Sequence, residues 1–435
     1  MSLATKKIKN KMLPREDLSR ENLISNYKRV RNFSNHLASP LSTEDYVIQS
    51  MADVSPTKWH LAHTSWFFEE FILSKIHKDY KSLDPRYKFL FNSYYVQVGE
   101  RHCRPKRGLI SRPTVKEIYE YREFVDDNME KFFNTTDDPD FEKIAPVVEI
   151  GIHHEQQHQE LILTDIKHVF SENPLDPVYC ELPEQKIETE IKALKWVAFD
   201  EEIYEIGNYG NSFGYDNEGP LHKTLIQKFQ LASRLTTNSE YIEFINDGGY
   251  ETPSLWLSDG WNTVTSNGWK APLYWDDTKG EWWHFTLNGF KKVHPNEPVS
   301  HLSFYEAEAF SRWAGGRLPT EFEWEVASKD IKLKGNFVEN GFFNPIANTK
   351  FDEPLQQMYG DVWEWTRSPY SPYPGYKTVA GALGEYNGKF MCNQMVLRGG
   401  SCATSITHIR NTYRNFFPPD SRWQFMGLRL AKDEN

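Results

Sequence analysis

The residues best suited to chemistry lie together at positions 153–160, which read HHEQQHQE. His154 and His158 are four positions apart, so on a helix they share one face, with Cβ atoms roughly 6 Å apart. Two imidazoles in that arrangement can bind one divalent metal ion, since neutral histidine is the commonest metal ligand in proteins. His153 points about 100° away from that face and is not predicted to be a ligand. The spacing therefore predicts a metal site on a helix.

Two kinds of metal site fit these residues. Residues 154–158 read HEQQH, which matches the H-E-x-x-H signature of zinc metalloproteases, whose glutamate is a general base. The same pair, followed by Glu160, also fits a three-histidine iron site whose third ligand lies elsewhere in the chain. No third zinc ligand follows at a recognised spacing, and so short a motif arises by chance. The protease nevertheless remains the main alternative enzyme.

Composition predicts a folded protein that is not a general nucleic-acid binder. The chain has 435 residues, which is long enough for two domains or one large one, and its content of 39% hydrophobic and 26% charged residues predicts folding rather than disorder. No run of about 18 apolar residues predicts a membrane span, and the basic N-terminus lacks the apolar region of a secretory signal. Four widely separated cysteines without a C-x-x-C pair fit a reducing cytoplasm. A net charge of −11 argues against general nucleic-acid binding.

The first part of the chain, residues 1–175, has the apolar periodicity of helices. Pro56 is well placed at the start of one of them. Four helices of this length predict a bundle, whose core is a usual place for metal ligands. The predicted helices cover residues 18–38, 57–76, 115–132 and 146–170.

The second part differs in texture. Residues 176–195, rich in proline and charge, are predicted to be a linker. Residues 196–435 are rich in Trp, Gly and Tyr, with short strand-like runs, many turns and one predicted helix at 303–314. This pattern predicts an irregular domain with long loops, which tend to be functional. The expected fold class is therefore α+β, a helical bundle followed by an irregular domain.

Short phrases in the second part carry a resemblance to a known family. In chain order they are GRLPTEFEWE at 316–325, GDVWEW at 360–365, LRGGS at 397–401 and GLRLA at 427–431. They resemble the formylglycine-generating-enzyme-like family, which implies a C-type-lectin-like fold over roughly residues 196–435. The copper-binding cysteine pair of formylglycine-generating enzymes has no clear equivalent, since LRGGS continues with Cys402-Ala403. A domain of this kind behind a DinB-like helical bundle resembles the ergothioneine-type sulfoxide synthases.

That resemblance implies an iron enzyme with Fe(2+) as its cofactor. Two iron ligands fall on His154 and His158, and the third falls on His63 in the phrase WHLAH. His60, one turn earlier, is a competitor that the family pattern does not favour. The implied reaction uses O2 to join cysteine sulfur to the imidazole C2 of hercynine (Nα-trimethylhistidine), giving hercynylcysteine sulfoxide. Zinc has no redox chemistry and does not support this step.

The phrase FNSYY at 91–95 resembles the branch of that family whose catalytic tyrosines lie in the helical domain. That branch uses free cysteine rather than γ-glutamylcysteine as sulfur donor. Either Tyr94 or Tyr95 is therefore predicted to be catalytic, as a phenol that supplies a proton or an electron. Arg101 and Arg104 are predicted to bind the cysteine carboxylate through their guanidinium groups.

Predicted contacts to hercynine come from both parts of the chain. Gln157 resembles the family's contact to the substrate imidazole, and Glu160 is predicted to orient the site without binding the metal. Aromatic faces attract a trimethylammonium group, so a late aromatic loop is predicted to face the site. The loop residues are Asn415, Phe416 and Phe417, with Trp423 as a further candidate.

Three alternatives to the ergothioneine-type enzyme remain at this point. An ovothiol-type or selenoneine-type synthase would share the family and the metal site. The zinc metalloprotease would use the H-E-x-x-H motif. A lectin-like binding protein would need no metal, and it would leave the three histidines unexplained. The oligomeric state is not predicted.

Overall fold

The structure, a computed structural model, describes residues 18–434 apart from 77–78, 182–192, 211, 279, 348–352, 380 and 382–383. The predicted α+β fold is confirmed, because a helical N-terminal part is followed by a part that contains small sheets. The domain boundaries stay predictions, since most of the linker expected at 176–195 lies outside the described residues. Among the helices described, none is both long and apolar enough to cross a membrane.

The helical part consists of four main helices, as the sequence predicts, joined by shorter helical turns. Side-chain caps explain where two of them begin, because Thr114 accepts a hydrogen bond from the Glu117 amide and Asp137 accepts one from the Asp140 amide. A π-helical turn continues the second helix over Glu69–Leu73. The helices are α1 (Arg20–Ala38), α2 (Thr57–Phe68), α3 (Ser74–Ile76), α4 (Tyr87–Leu90), α5 (Val115–Thr135) and α6 (Asp138–Ser171).

Helix α6 begins at Asp138, earlier than the predicted start at Pro146. A proline in the first turn costs little, because the N–H it lacks has no partner there, and Pro139 takes that position. Pro146 lies inside the helix and removes one backbone hydrogen bond. Phe141 and Ala145 are buried in the bundle core ahead of it, and this packing keeps the extra turns helical.

The bundle core holds a buried ion cluster as well as apolar side chains. Glu155 of α6 accepts hydrogen bonds from Arg31 of α1 at 3.1 Å and from Arg122 of α5 at 2.5 Å. Ser34 donates to the same carboxylate at 2.7 Å. Burial alone would raise the pKa of Glu155, but the two guanidinium groups hold it at about 2. The cluster therefore ties three helices together through one carboxylate.

The second part is built from short strands and short helices. Its strands are β1 (Trp196–Phe199), β2 (Glu202–Ile206), β3 (His222–Ile226), β4 (Phe229–Ala232), β5 (Trp275–Thr278), β6 (Glu281–Thr286), β7 (Gly289–Lys292), β8 (Trp363–Pro369), β9 (Met395–Arg398), β10 (Asn415–Phe417), β11 (Met426–Gly427) and β12 (Ala431–Asp433). Within the described residues they form four sheets, ordered β1-β4-β12, β10-β9-β8-β11, β2-β3 and β5-β6-β7. The β8–β11 pairing is parallel, and the other pairings within these sheets are antiparallel.

The prediction of one helix in the second part is wrong in number. The expected helix is present, and further helices of 4 to 10 residues accompany it. Two of these begin with a capping box, in which Thr237 pairs with Glu240 and Thr320 pairs with Glu323. Both T-x-x-E signatures are readable in the sequence. The helices are α7 (Asn238–Asn246), α8 (Ser258–Asn267), α9 (Phe304–Trp313), α10 (Glu321–Ser328) and α11 (Glu385–Gly388).

The phrases that carry the family resemblance meet in buried ion pairs. Arg398 of the LRGGS phrase donates to Glu321 at 3.0 Å and to Glu325 at 2.9 Å, both in GRLPTEFEWE. Arg429 of GLRLA donates to Glu364 of GDVWEW at 2.9 Å. Because a buried charge needs a partner, these pairs require the phrases to come together in one arrangement.

A buried lysine lies where α6 meets the second part. The Nζ atom of Lys167 is 2.7 Å from Nε2 of His301, and it lies over the rings of Tyr274 and Phe425. Burial lowers the pKa of Lys167 to about 7. The interface therefore favours the neutral amine at alkaline pH.

We predict that replacing Glu155 with Gln destabilises the bundle, because the buried guanidinium of Arg122 loses its carboxylate and that of Arg31 is left with Asp126. The expected loss is about 3–5 kcal/mol in the free energy of unfolding. Urea unfolding followed by circular dichroism measures it, with Glu130→Gln, which removes only an exposed ion pair with Lys28, as control. Equal midpoints for Glu155→Gln and wild type would show that the cluster does not hold the helices.

We also predict a pH dependence that comes from Lys167. Between about pH 7 and the ordinary lysine value of 10.5, the unfolded chain keeps this proton while the folded chain has lost it. Stability should therefore rise with pH in that window, by at most about 1.4 kcal/mol per pH unit. Lys167→Met should flatten the rise in urea unfolding at several pH values, whereas the exposed control Lys116→Met should keep it. A wild-type slope in Lys167→Met would contradict this origin.

Candidate metal centre and substrate cleft

Three histidines meet where α2 packs against α6. His63 lies on α2, and His154 and His158 lie one turn apart on α6. One ring nitrogen from each lies within 4.8 Å of the others, and all three side chains are buried. The structure thus brings together the three ligands that the sequence predicts. Across the described residues, no other His, Cys, Asp or Glu side chains form such a group of three.

Hydrogen bonds orient two of these rings from behind. His63 donates from Nδ1 to the Phe91 carbonyl at 2.6 Å, which leaves the lone pair on Nε2. His158 Nδ1 lies 2.8 Å from Nδ1 of His60, and His60 Nε2 lies 3.0 Å from Oδ2 of Asp165. His60 therefore contacts a predicted ligand and a carboxylate, and it does not belong to the group of three.

Burial keeps the three imidazoles neutral. It lowers the pKa of His63 and of His158 well below the usual range, with repulsion from His154 adding to both, and it lowers the pKa of His154 to about 4. The Nδ1 atom of His154 is buried without a hydrogen-bond partner among the described residues. Neutral imidazole is the form that binds metal. This donor set therefore fits a divalent ion such as iron(II).

The glutamate of the H-E-x-x-H motif points away from this group. Both carboxylate oxygens of Glu155 are engaged in the bundle core, by Arg31, Arg122 and Ser34. A metalloprotease needs that carboxylate beside the attacking water at the metal. The geometry therefore argues against the zinc metalloprotease.

A cleft extends from the histidines between the two parts of the protein. The first cavity, of about 60 Å³, is lined by the three histidines. It adjoins a second cavity of about 370 Å³ and a third of about 190 Å³. The first and second share Tyr95, His154 and Gln157. The first and third share Tyr94, Arg104, Gln157 and Leu161. The walls of the two larger cavities come from both parts of the chain, so the second part completes the cleft.

Both predicted tyrosines line the cavity on the histidines. The Tyr94 hydroxyl accepts a hydrogen bond from Arg104 at 2.7 Å, and its ring meets Phe390 of the second part edge-on at 5.1 Å. Tyr95 is buried, with its ring 5.7 Å from that of Trp66, which itself stacks on His63. The sequence leaves the choice between the tyrosines open, and both positions remain available to a substrate in this cavity.

The two predicted arginines differ in position, and a third arginine joins them. Arg101 is exposed, donates to the Ser93 carbonyl at 2.9 Å and does not line the three cavities. Arg104 lines two of them. Arg107, which the sequence analysis missed, is buried and lines the cavity on the histidines. The signal was the repeat of arginine at every third position from 101 to 107.

Arg107 is a buried cation whose described partners are neutral. It donates to the hydroxyls of Ser55 at 2.9 Å and Ser93 at 3.2 Å. Its guanidinium carbon lies 3.3 Å from the Trp59 ring centroid, and that ring stacks on His63. Burial lowers the pKa of Arg107 to about 9. A buried charge without a counterion favours an anionic ligand.

The predicted hercynine contacts fall in different places. Gln157 lines all three cavities and donates to the Tyr413 hydroxyl at 2.8 Å. Asn415, Phe416 and Phe417 form β10 and line the third cavity, where Phe416 stacks on Tyr370 with centroids 4.1 Å apart. Trp423 lies outside the linings of the three cavities, and its Nε1 donates to Asp165 at 3.3 Å.

Glu160 contacts the second part of the protein. It accepts hydrogen bonds from Trp363 Nε1 at 2.7 Å, from Ser401 Oγ at 2.7 Å and from Thr404 Oγ1 at 2.9 Å. The sequence analysis expected this carboxylate to orient the metal site. Its described contacts instead join α6 to β8 and to the loop after β9, because its position on α6 faces the second part.

Comparisons with known families agree with the two parts of the structure. Residues 203–352 and 352–434 match the sulfatase-modifying factor enzyme 1-like domain. Residues 26–162 match the DinB superfamily. The first match covers more than half of the chain, and the second includes all three histidines of the group.

Three curated proteins illustrate the similarity. Hercynine oxygenase of Mycolicibacterium smegmatis is 36% identical over 244 residues, which cover 50% of this chain and 56% of that protein. Hercynine oxygenase of Mycobacterium tuberculosis is 35% identical over 240 residues, with 50% and 56% covered. Formylglycine-generating enzyme of Streptomyces coelicolor is 28% identical over 272 residues, with 52% and 84% covered.

The chain spans about half the length of the hercynine oxygenases that it matches. The family models nevertheless cover both of its parts, in the order that the sequence phrases predict. The chain therefore belongs to the sulfatase-modifying factor enzyme 1-like family, and its DinB-type helical domain in front gives it the two-domain arrangement of the ergothioneine-type sulfoxide synthases.

Proposed function

We propose that this protein is a non-heme iron(II) oxygenase of ergothioneine biosynthesis. In the proposed reaction, the cysteine sulfur bonds to the imidazole C2 of hercynine and is oxidised by O2. One oxygen atom enters the hercynylcysteine sulfoxide and the other leaves as water, with the two displaced hydrogens. The observation that carries the proposal is a group of three buried imidazoles, open to a cleft that the sulfatase-modifying factor enzyme 1-like domain completes.

His63, His154 and His158 would hold the iron. Iron(II) bound by three imidazoles would keep coordination positions open and supply the one-electron chemistry that O2 requires and zinc lacks. The three side chains come from two packed helices, so their spacing is set before any metal binds. The surrounding Trp59, which stacks on His63, helps to exclude water from the group.

Cysteine would bind with its carboxylate on the arginines. Arg107 and Arg104 both line the cavity on the histidines, and guanidinium groups bind carboxylates through paired hydrogen bonds. Arg101 donates to the Ser93 carbonyl, while the Ser93 hydroxyl accepts from Arg107, so Arg101 supports the segment that carries the pair. The choice of free cysteine over γ-glutamylcysteine rests on the likeness of residues 91–95 to the cysteine-using branch.

Hercynine would occupy the cleft beside His154. Gln157, which lines all three cavities, would contact its imidazole. The trimethylammonium group would lie against aromatic faces of the cleft, for which Phe416 and the neighbouring Asn415 in the third cavity are candidates. Tyr94 or Tyr95 would supply the proton or electron that directs oxidation toward the sulfoxide.

The metal assignment is tested by removing one imidazole at a time. Iron-loaded wild type, mixed without air with hercynine and cysteine and then exposed to O2, should form hercynylcysteine sulfoxide by mass spectrometry. An ovothiol-type enzyme would join sulfur to a different ring carbon of histidine. His63→Ala should lose most of the iron and the activity, because two ligands hold the ion poorly.

His168→Ala provides the control, since His168 lies on α6, the helix of His154 and His158, but its Nδ1 bonds to Ser50. Its iron content should match wild type. If His63→Ala keeps full iron and activity, the ligand assignment is wrong. If the protein holds zinc and cleaves peptides, the metalloprotease is the better answer.

The tyrosine prediction separates chemistry from binding. Tyr94→Phe and Tyr95→Phe each remove one hydroxyl and keep the ring. One of them should retain iron and substrates, lose sulfoxide synthase activity and divert cysteine to cysteine sulfinate, because thiol oxidation needs no correctly timed proton. Product partitioning at matched iron loading measures this. Wild-type yields of hercynylcysteine sulfoxide from both variants would assign the two rings to packing.

A further inference from the structure

A chain of hydrogen bonds runs from one proposed ligand back into the bundle. His158 Nδ1 lies 2.8 Å from Nδ1 of His60, and His60 Nε2 lies 3.0 Å from Oδ2 of Asp165. His60 is on α2, one turn before His63, and Asp165 is on α6, two turns after His158. All of these side chains are buried, so the bonds are shielded from competing water.

The direction of each bond follows from the chemistry of its atoms. An ionised carboxylate only accepts, so Asp165 places the His60 proton on Nε2. With one proton on each ring, the Nδ1 atom of His60 accepts, and the proton of His158 lies on Nδ1. The lone pair of His158 is thereby left on Nε2, on the opposite side of the ring.

We propose that His60 and Asp165 are positioning residues that set the tautomer and the ring orientation of His158 for metal binding. This inference rests on the proposed metal site. The sequence analysis considers His60 only as a competitor of His63 for the metal. In this inference His60 does not bind the metal and acts on it through His158. A histidine ligand whose second nitrogen is held in this way binds metal more tightly.

The three proposed ligands differ in what holds the second nitrogen of each imidazole. The contribution of His60 and Asp165 to His158 can therefore be measured separately. The His63 ring is held by the backbone carbonyl of Phe91, which no substitution at that position removes. The Nδ1 atom of His154 has no partner among the described residues. His158 is thus the ligand whose orientation depends on other side chains.

Asp165 is itself fixed from two directions. The Ser55 amide donates to Oδ2 at 2.8 Å, and Trp423 Nε1 donates to Oδ1 at 3.3 Å. Trp423 belongs to the second part of the protein, where its ring meets Phe417 edge-on. These contacts hold the Asp165 carboxylate with Oδ2 toward His60. Asp165 lies on α6, and one of the groups that orient it comes from the second part of the protein.

The test measures the affinity of the metal-free full chain for Co(II), by the visible absorption of the bound ion in competition with a chelator. His60→Phe and His60→Asn should weaken Co(II) binding by about 10- to 100-fold. His60→Gln should stay within a few fold of wild type, because its amide can accept from His158 and donate to Asp165 as the imidazole does. The control His168→Phe should bind as wild type does.

The Asn and Gln variants differ by one methylene group and are both polar, so this pair carries the test if His60→Phe does not fold. Wild-type affinity in His60→Asn, or an equal loss in His60→Gln, would overturn the inference. Failure of the metal site itself looks different, because wild type would then bind no Co(II) or His63→Ala would bind it fully. The positioning role alone is refuted if Co(II) affinity falls in His63→Ala and stays at the wild-type value in the His60 variants.

Discussion

The carboxylate of Glu160 accepts hydrogen bonds from Trp363, Ser401 and Thr404 across the boundary between the two parts of the protein. Burial raises its pKa, and those three donors counteract the rise. A buried carboxylate with no cation in its described contacts needs each of these donors. The second domain must therefore lie against α6 at one position, and the cleft exists because that position leaves a space beside the histidines.

Helix α6 is polar on several faces and still buried, so each face needs its own partners. Glu155 faces the bundle and binds Arg31 and Arg122, while Glu160 faces the second domain. Along the helix, His154 directly precedes Glu155, and His158 lies between the two carboxylates. Rotation of α6 about its axis would break ionic contacts on one side and hydrogen bonds on the other, and this constraint fixes the direction of the imidazoles.

Local rules in the sequence explain much of the site. The four-residue spacing of His154 and His158 needs only a helix to bring both rings together, and His63 follows from a phrase that resembles a family. The same rules fail where the role of a side chain is set by a partner that is distant in the sequence. Glu155 looks like a general base until its arginine partners are known, and Arg31 lies 124 positions away in the sequence.

Arg107 illustrates the same limit on a smaller scale. Three arginines repeat at intervals of three, and nothing local says which of them faces the cavity. The choice is made by a 3₁₀ turn over Arg104–Leu109 and by the packing of Trp59 beneath the guanidinium. The predicted start of α6 at Pro146 is wrong for the opposite reason, because the packing of Phe141 in the bundle core outweighs the local preference of proline for a helix start.

The ion cluster at Glu155 also bears on whether the protein needs a metal in order to fold. It joins α1, α5 and α6 through arginine–carboxylate pairs, and it adjoins the proposed metal ligands His154 and His158 along the chain. Small zinc domains fold only when their metal binds, because nothing else orders their ligands. Here an ion cluster outside the group of three histidines joins these helices, so under the proposed function metal binding would not be needed to fold the bundle. A site that forms without its metal would then select its ion by its geometry, by its ligand type and by which metals the cell supplies after folding.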